Sequence, residues 1–136
     1  MPVTALETAL YTKLANTSAL TTELGGTYVY NTNAPQNPPA KYVVFQYQGG
    51  GDVNDTKQRS RNVLYAVYGV AQGRAAAAAV DGQIDTALHL GSLTVSGWAN
   101  NLWLARERDV NFTEQDSTGR PRHRIGGFYR AIIDED

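Results

Sequence analysis

The residues best suited to chemistry are few in this chain, and their spacing serves it poorly. The two histidines, His89 and His123, are far apart in sequence. No H-x-x-x-H or H-E-x-x-H pairing exists, so neither has the partner that a zinc site on a helix requires. His123 sits among Arg120, Arg122 and Arg124, whose positive charge disfavours a bound cation and a proton-accepting base alike. His89 falls at the end of a predicted helix, where the backbone dipole favours a cation. The tract "GGGDVNDT" (49–56) has the composition of a phosphate cradle or a calcium loop. A phosphate loop closes on Gly-Lys-Ser/Thr, which is absent. A calcium loop counted from Asp52 needs glycine sixth and glutamate twelfth, where this chain has Lys57 and Val63. No G-x-S-x-G elbow occurs. The reading is of a protein that is not an enzyme, with no catalytic residues, no cofactor and no metal ligands.

The basic residues are better organised. Lys57, Arg59 and Arg61 alternate, as do Arg120, Arg122 and Arg124, and Arg106 with Arg108. On a strand a period of two puts each set on one face. Such stripes on neighbouring strands can contact phosphates. Asp55, Glu107, Asp109, Glu114 and Asp116 interleave with them and cancel much of the field. An acidic surface on a partner protein is therefore the expected target, and a nucleic-acid-binding module built on arginine-bearing hairpins is the alternative. Arg59 and Arg61, near a hairpin tip, are expected to tolerate exchange for glutamate without loss of the fold. Trp98 and Trp103 flank Ala99–Asn100–Asn101. They read either as a cross-strand core pair or as interface anchors.

The elements that must position these residues follow from periodicity. Residues 4–15 predict a helix, with Thr4 and Glu7 as a capping box and Leu6, Leu10 and Leu14 as one stripe. A short turn of helix follows over 18–24, closed by Gly25 and Gly26. Strands are predicted at 27–31, 41–48, 57–70, 93–98, 101–112 and 122–133, and a second long helix at about 73–90 with Val80, Ile84 and Leu88 inward. The proline-bearing "NTNAPQNPPA" (31–40) excludes regular structure, 49–56 reads as a mobile loop, and 113–121 reads as a turn. Gly82 inside the second helix marks either close packing or an exposed weak point. The fold class is α+β, a mostly antiparallel sheet of five to six strands with two main helices packed on one face.

The 136 residues are expected to form one domain, residues 1–136. With no cysteine and a net charge of −1, disulfides and thiolate metal sites are excluded, and the whole chain exerts no pull on nucleic acid. Absence of cysteine fits an intracellular origin. The N-terminus lacks a basic region followed by an apolar run, and no stretch approaches 18 apolar residues, so neither a signal peptide nor a membrane span is expected.

Three strands carry apolar residues on both sides: Tyr42 and Val44 against Val43 and Phe45; Val63, Tyr65 and Val67 against Leu64, Ala66 and Tyr68; Ile125, Tyr129 and Ile133 against Phe128 and Ile132. A sheet wet on one side alternates apolar with polar instead. Two helices cover one face. The second cover is expected from neighbouring copies in a homo-oligomer, or from the sheet folding on itself.

Three segments in order, spanning nearly the whole chain, carry a resemblance. They are "ALETALYTKLANTSALTTELGG", "NAPQNPPAKYVVFQYQGGG", and the strand-to-helix unit "RNVLYAVYGVAQGRAAAAAVDGQIDTALHL" followed by "FTEQDSTGRPRHRIGGFYRAIID". The arrangement resembles the tail completion, or tail terminator, family of long-tailed bacteriophages. The resemblance implies a structural virion protein at the head–tail junction, or neck, assembled in the host cytoplasm. It implies a ring of copies, commonly a hexameric ring, that caps the tail tube, ends its polymerisation and joins the tail to the head connector. Its partners would be its own copies, the tail tube protein and the head connector or stopper protein, with no membrane. DNA would pass through the ring without specific recognition. Another head–tail connector or adaptor ring subunit is the related alternative. Lys57, Arg59, Arg61, Trp98, Trp103, Arg120, Arg122 and Arg124 are the candidate interface residues.

Overall fold

The computed structural model describes residues 2–53, 60–97, 103–115 and 119–134. In chain order the elements are α1 (Pro2–Ala15), α2 (Ser18–Leu24), β1 (Val29–Asn31), β2 (Lys41–Val53), β3 (Ser60–Ala71), α3 (Arg74–Leu88), β4 (Trp103–Gln115) and β5 (Pro121–Asp134). The strands form one five-stranded sheet in the order β1-β2-β3-β5-β4. All neighbours are antiparallel except β1 and β2, which are parallel. The fold is α+β, as the alternation of patterns implies. No helix among the described residues is long and apolar enough to cross a membrane.

All three helices pack on one face of the sheet. The i, i+4 stripe of α1 buries Leu6, Leu10 and Leu14; α2 adds Leu20 and Leu24; α3 adds Val80, Ile84 and Leu88. They meet Val43, Phe45, Val63, Tyr65, Val67, Tyr129, Ala131 and Ile133, which the pleat places on the same side. Each fully buried aromatic or large aliphatic side chain there contributes about 1.5–3 kcal/mol. Gly69 lets α3 lie close, because a Cβ on it would come within 2.5 Å of Val80 Cγ1.

One half of the second face is covered by the same chain, where cover by neighbouring copies or by the sheet folding on itself was expected. Tyr42, Val44, Ala66, Tyr68 and Val70 form a second buried cluster. The proline-bearing segment after β1 folds back so that Ala34 packs on that cluster, with Tyr28, Tyr30 and Phe128 beside it. The sheet neither curls on itself nor waits for a partner over this half.

Several boundaries also differ from the periodic reading. α1 starts at Pro2, a residue whose fixed φ suits a first helical position; Thr4 then lies inside the helix and is not its cap. Residues 49–53, expected to be loop, continue β2 past a register shift between Tyr47 and Gly49, since flanking β3 supplies backbone partners that outweigh weak strand propensity. Residues 113–115 likewise extend β4. Residues 93–97 form no strand: Leu93 and Val95 are buried, and their alternation reflects burial against the core without a ladder.

Gly82 of α3 is exposed, and a Cβ built on it meets nothing within 4 Å. It is a weak point in the helix and not a close approach. Gly82→Ala should raise unfolding free energy by about 1 kcal/mol, read as a higher denaturation midpoint in urea with unchanged slope.

Candidate assembly interface

The sheet register decides what the basic stripes can do together. Arg61 is on β3 and pairs with Ile133, at one end of the sheet. Arg124 pairs with Val70, and His123 with Ala71, at the other end. Nine residues of strand, about 30 Å, separate Arg61 from the level of Arg124. They also lie on opposite faces: Arg61 shares the helix side with Val63 and Tyr65, whereas Arg122 and Arg124 share the other side with Tyr42 and Tyr68. The stripes therefore do not merge into one basic surface. Lys57, Arg59 and Trp98 fall outside the described residues.

Two of the stripe arginines are core residues. Arg61 and Arg122 are 8% and 9% exposed. Arg61 is thus no tip residue open to charge reversal, and its exchange for glutamate would bury an anion where a cation is accommodated. Arg122 lies over the Tyr42 ring at 5.8 Å and donates from Nη1 to the carbonyl of Pro39 at 3.2 Å. Arg124 lies 5.1 Å over Tyr68, donates from Nη1 to the Tyr68 hydroxyl at 3.0 Å, and pairs with Glu114. Arg108 lies 5.0 Å over Phe128. A guanidinium covers an aromatic face with its plane and stem while its charge reaches the rim. Burial raises the Tyr42 and Tyr68 hydroxyls above the usual phenol range, against the lowering field of Arg124. Arg122 and Arg124 line a polar groove of about 540 Å³ with Asn33, Gln36 and Glu114. Arg120 is exposed in the adjoining turn.

Arg106 and Arg108, read as sharing a face, are split by a bulge: Arg106 pairs with Tyr129 and Arg108 with Phe128, so Glu107 is the extra residue. Arg106 turns under α3. It holds Asp81 bidentately at 2.7 and 3.1 Å, donates to the Gly126 carbonyl at 2.7 Å, and reaches Asp109 at 3.0 Å. Tyr129 donates its hydroxyl to Asp85 at 3.1 Å. Burial alone would lower the Arg106 pKa, but hydrogen bonds to Asp81 and Tyr129 raise it, so it stays charged. The paired glycines make room for this arrangement. A Cβ on Gly127 would meet Arg106 Nε at 2.6 Å, and one on Gly126 would meet the Val67 carbonyl at 2.1 Å. Sequence reasoning missed the cluster, although Asp81 and Asp85 at i, i+4 on a predicted helix with an arginine-bearing strand to follow were a usable signal.

The histidines serve this scaffold. His89 caps α3 and its Nδ1 accepts from the Arg106 backbone N–H at 3.1 Å. The His123 Nδ1 lies 3.2 Å from the Thr113 hydroxyl. Among the described residues no group of three or more histidine, cysteine, aspartate or glutamate side chains could hold a metal. What the surface does offer is apolar: Trp103 is 52% exposed, Leu90 59%, Phe112 43% and Tyr47 38%.

Fold and surface together define a small α+β protein whose ordered polar clusters hold the sheet and helices in register and whose exposed aromatics lie along strands, apart from Tyr11 on α1. The chain belongs to the tail completion protein gp17 family, whose model matches residues 8–133; it is a structural tail-completion protein. A chain in the solved virion of a native gene transfer agent (GTA) particle has the same fold, with a TM-score of 0.75 and 22% identity over 98% of this chain and 97% of that one. Comparison with curated proteins finds no match.

Two expectations test the cluster. Arg106→Ala leaves the half-buried Asp81 without its partner and should cost about 2 kcal/mol, whereas Arg130→Ala, which breaks a more exposed pair with Glu107, should cost under about 1 kcal/mol; chemical denaturation of both variants measures the contrast. Burial raises the hydroxyl pKa of Tyr129. The neutral side chain is therefore favoured by the fold. Its stabilisation is fully present below the unfolded phenol value of about 10 and is lost as pH rises above it toward the folded value. The melting temperature should fall above pH 10, and less steeply in Tyr129→Phe.

Proposed function

We propose that this protein forms a ring, of hexameric size, that caps the tail tube, ends its polymerisation and joins the tail to the head connector. The observation that carries the reading is membership of the tail completion family over residues 8–133. The likeness of fold to a chain of a gene transfer agent virion supports it; on this reading the protein sits at the head–tail junction. Its partners are its own copies, the tail tube protein and the connector or stopper protein.

Three features of the chain fit the role. Half-exposed aromatics on β2 and β4 offer anchors for neighbouring protein, since aromatic side chains carry much of the binding energy at interfaces. The exposed Arg120, beside a groove lined by Arg124 and Glu114, offers charged contacts to a protein neighbour. A net charge of −1 lets DNA pass the ring without being held.

Native mass spectrometry at micromolar concentration, with and without assembled tail tubes, tests the reading. A closed oligomer, free or on tube ends, is expected. A strictly monomeric protein that also leaves tube ends unbound overturns it.

A further inference from the structure

Both lateral edges of the sheet are covered over half their length, and the covered halves are at opposite ends. On one side β1 pairs with β2 only from Val43 to Phe45, and Thr32 adds a bond to the Phe45 carbonyl. From Gln46 to Val53 the outer side of β2 has no neighbouring strand among the described residues. On the other side the segment after α3 closes the start of β4: the Leu90 N–H bonds to the Leu104 carbonyl at 2.7 Å, and the Arg106 N–H to the His89 ring. Leu90 adopts a left-handed conformation, φ 56°, in the segment that makes this contact. Among the described residues, the outer side of β4 from Asp109 to Gln115 is again without a strand, and none of their backbone bonds outside the helices and strands reaches either free half.

We infer that the free half of β4 in one copy pairs with the free half of β2 in the next, so that the sheet continues from subunit to subunit. This rests on the ring reading above and names the surfaces that close it. Three observations select a second copy as the occupant. First, the polarity is correct. β2 and β5 run antiparallel to β3, and β4 runs antiparallel to β5, so β4 meets a neighbour's β2 in the favoured antiparallel sense. Second, the join is between two different edges of the same sheet, a head-to-tail contact that repeats and can cyclise. Third, the local residues suit backbone approach. Gly49 and Gly51 have open space where a Cβ would be, and glycine in a strand marks close approach of another backbone. Each free half also carries one exposed aromatic, Tyr47 on β2 and Phe112 on β4, which the added strand would cover.

The diagonal placement agrees with closure. Phe112 lies level with Val70 through Arg124, and Gly49, on the same face, lies level with Leu64. The free halves are therefore offset by six residues, about 20 Å along the strands. Four strands, β2, β3, β5 and β4, repeat across the joined sheet, about 19 Å. Copies joined at these edges form a level ring only if the strands incline by about 45°, close to the tilt of roughly 35–45° that closed sheets adopt. An unpaired edge is ordinarily an aggregation hazard; half-covering each edge leaves one register in which copies can join.

Hydrogen–deuterium exchange on the ring or tube-end complex, against the monomer, tests this, with assembly scored separately by native mass spectrometry. Amides in Asp109–Gln115 and Gln46–Val53 should slow together by at least tenfold on assembly. In parallel, the chain lacks cysteine, so Val110→Cys with Gly51→Cys, two positions on the same face of the sheet, in one chain should give a reducible covalent ladder of copies. Assembly in which either stretch exchanges at the monomer rate overturns the pairing and leaves the ring reading standing. Absence of any assembly overturns the ring reading, and the pairing with it.

Discussion

A sheet with two apolar faces has to be covered twice, and only one of the covers here is helical. The helix side is a conventional aliphatic and aromatic core under α1, α2 and α3. The other side is closed by a proline-rich segment at one end and by arginine stems and guanidinium planes farther along. Three arginines over Phe128, Tyr42 and Tyr68 exclude water from aromatic rings without adding mass to the fold. This is economical because a guanidinium is weakly hydrated and stacks flat, whereas a lysine ammonium would hold its water. Everything else in the structure adjusts to that arrangement, including the bulge at Glu107 that sends Arg106 and Arg108 to opposite faces.

The bulge is also what couples the two layers. Arg106 emerges under α3 and gathers Asp81, Asp109, Gly126 and Tyr129. Helix α3 is thereby fixed against β4 and β5 in both translation and rotation, because a bidentate pair is directional in a way that Val80, Ile84 and Leu88 are not. The paired glycines belong to the same device. Gly126 gives its carbonyl to Arg106, and Gly127 leaves the space that Arg106 occupies. Without them the strand could not pass beneath a guanidinium.

Much of the helical framework was legible in the sequence, because Leu6, Leu10, Leu14 and Val80, Ile84, Leu88 recur at helical spacing and nothing in tertiary structure overrides them. The two-faced strands were equally legible, but the consequence drawn from them was not. Apolar pattern reports burial and is silent on what does the burying. Tyr42 and Tyr68 are as buried under arginines and prolines as they would be under a neighbouring subunit. The same limit explains Leu93 and Val95, which alternate like a strand and bury like one without pairing. Charge was misread for a related reason: Arg61 and Arg122 look like solvated stripe residues in sequence, where an aromatic ring brought in by another strand cannot be seen. The pairing of Asp81 with Arg106 spans a helix-to-sheet contact that no local period records.

Self-coverage changes where subunit recognition can reside. A sheet with a bare apolar face would associate face to face, through contacts that are non-directional and have no intrinsic limit on copy number. Here the buried aromatics are withdrawn from that competition, and of the exposed ones all but Tyr11 on α1 lie on strands: Tyr47 on β2, Trp103 and Phe112 on β4. Recognition is shifted from the faces of the sheet to its margins, where backbone hydrogen bonds impose direction and register. A protein that must stop at a fixed number of copies needs directional contacts more than strong ones, since closure is set by the angle between neighbours and not by the area each buries. The arginine cover and the half-closed edges act in the same direction: apolar surface is withdrawn from part of the sheet's second face, and backbone groups are left open at its margins.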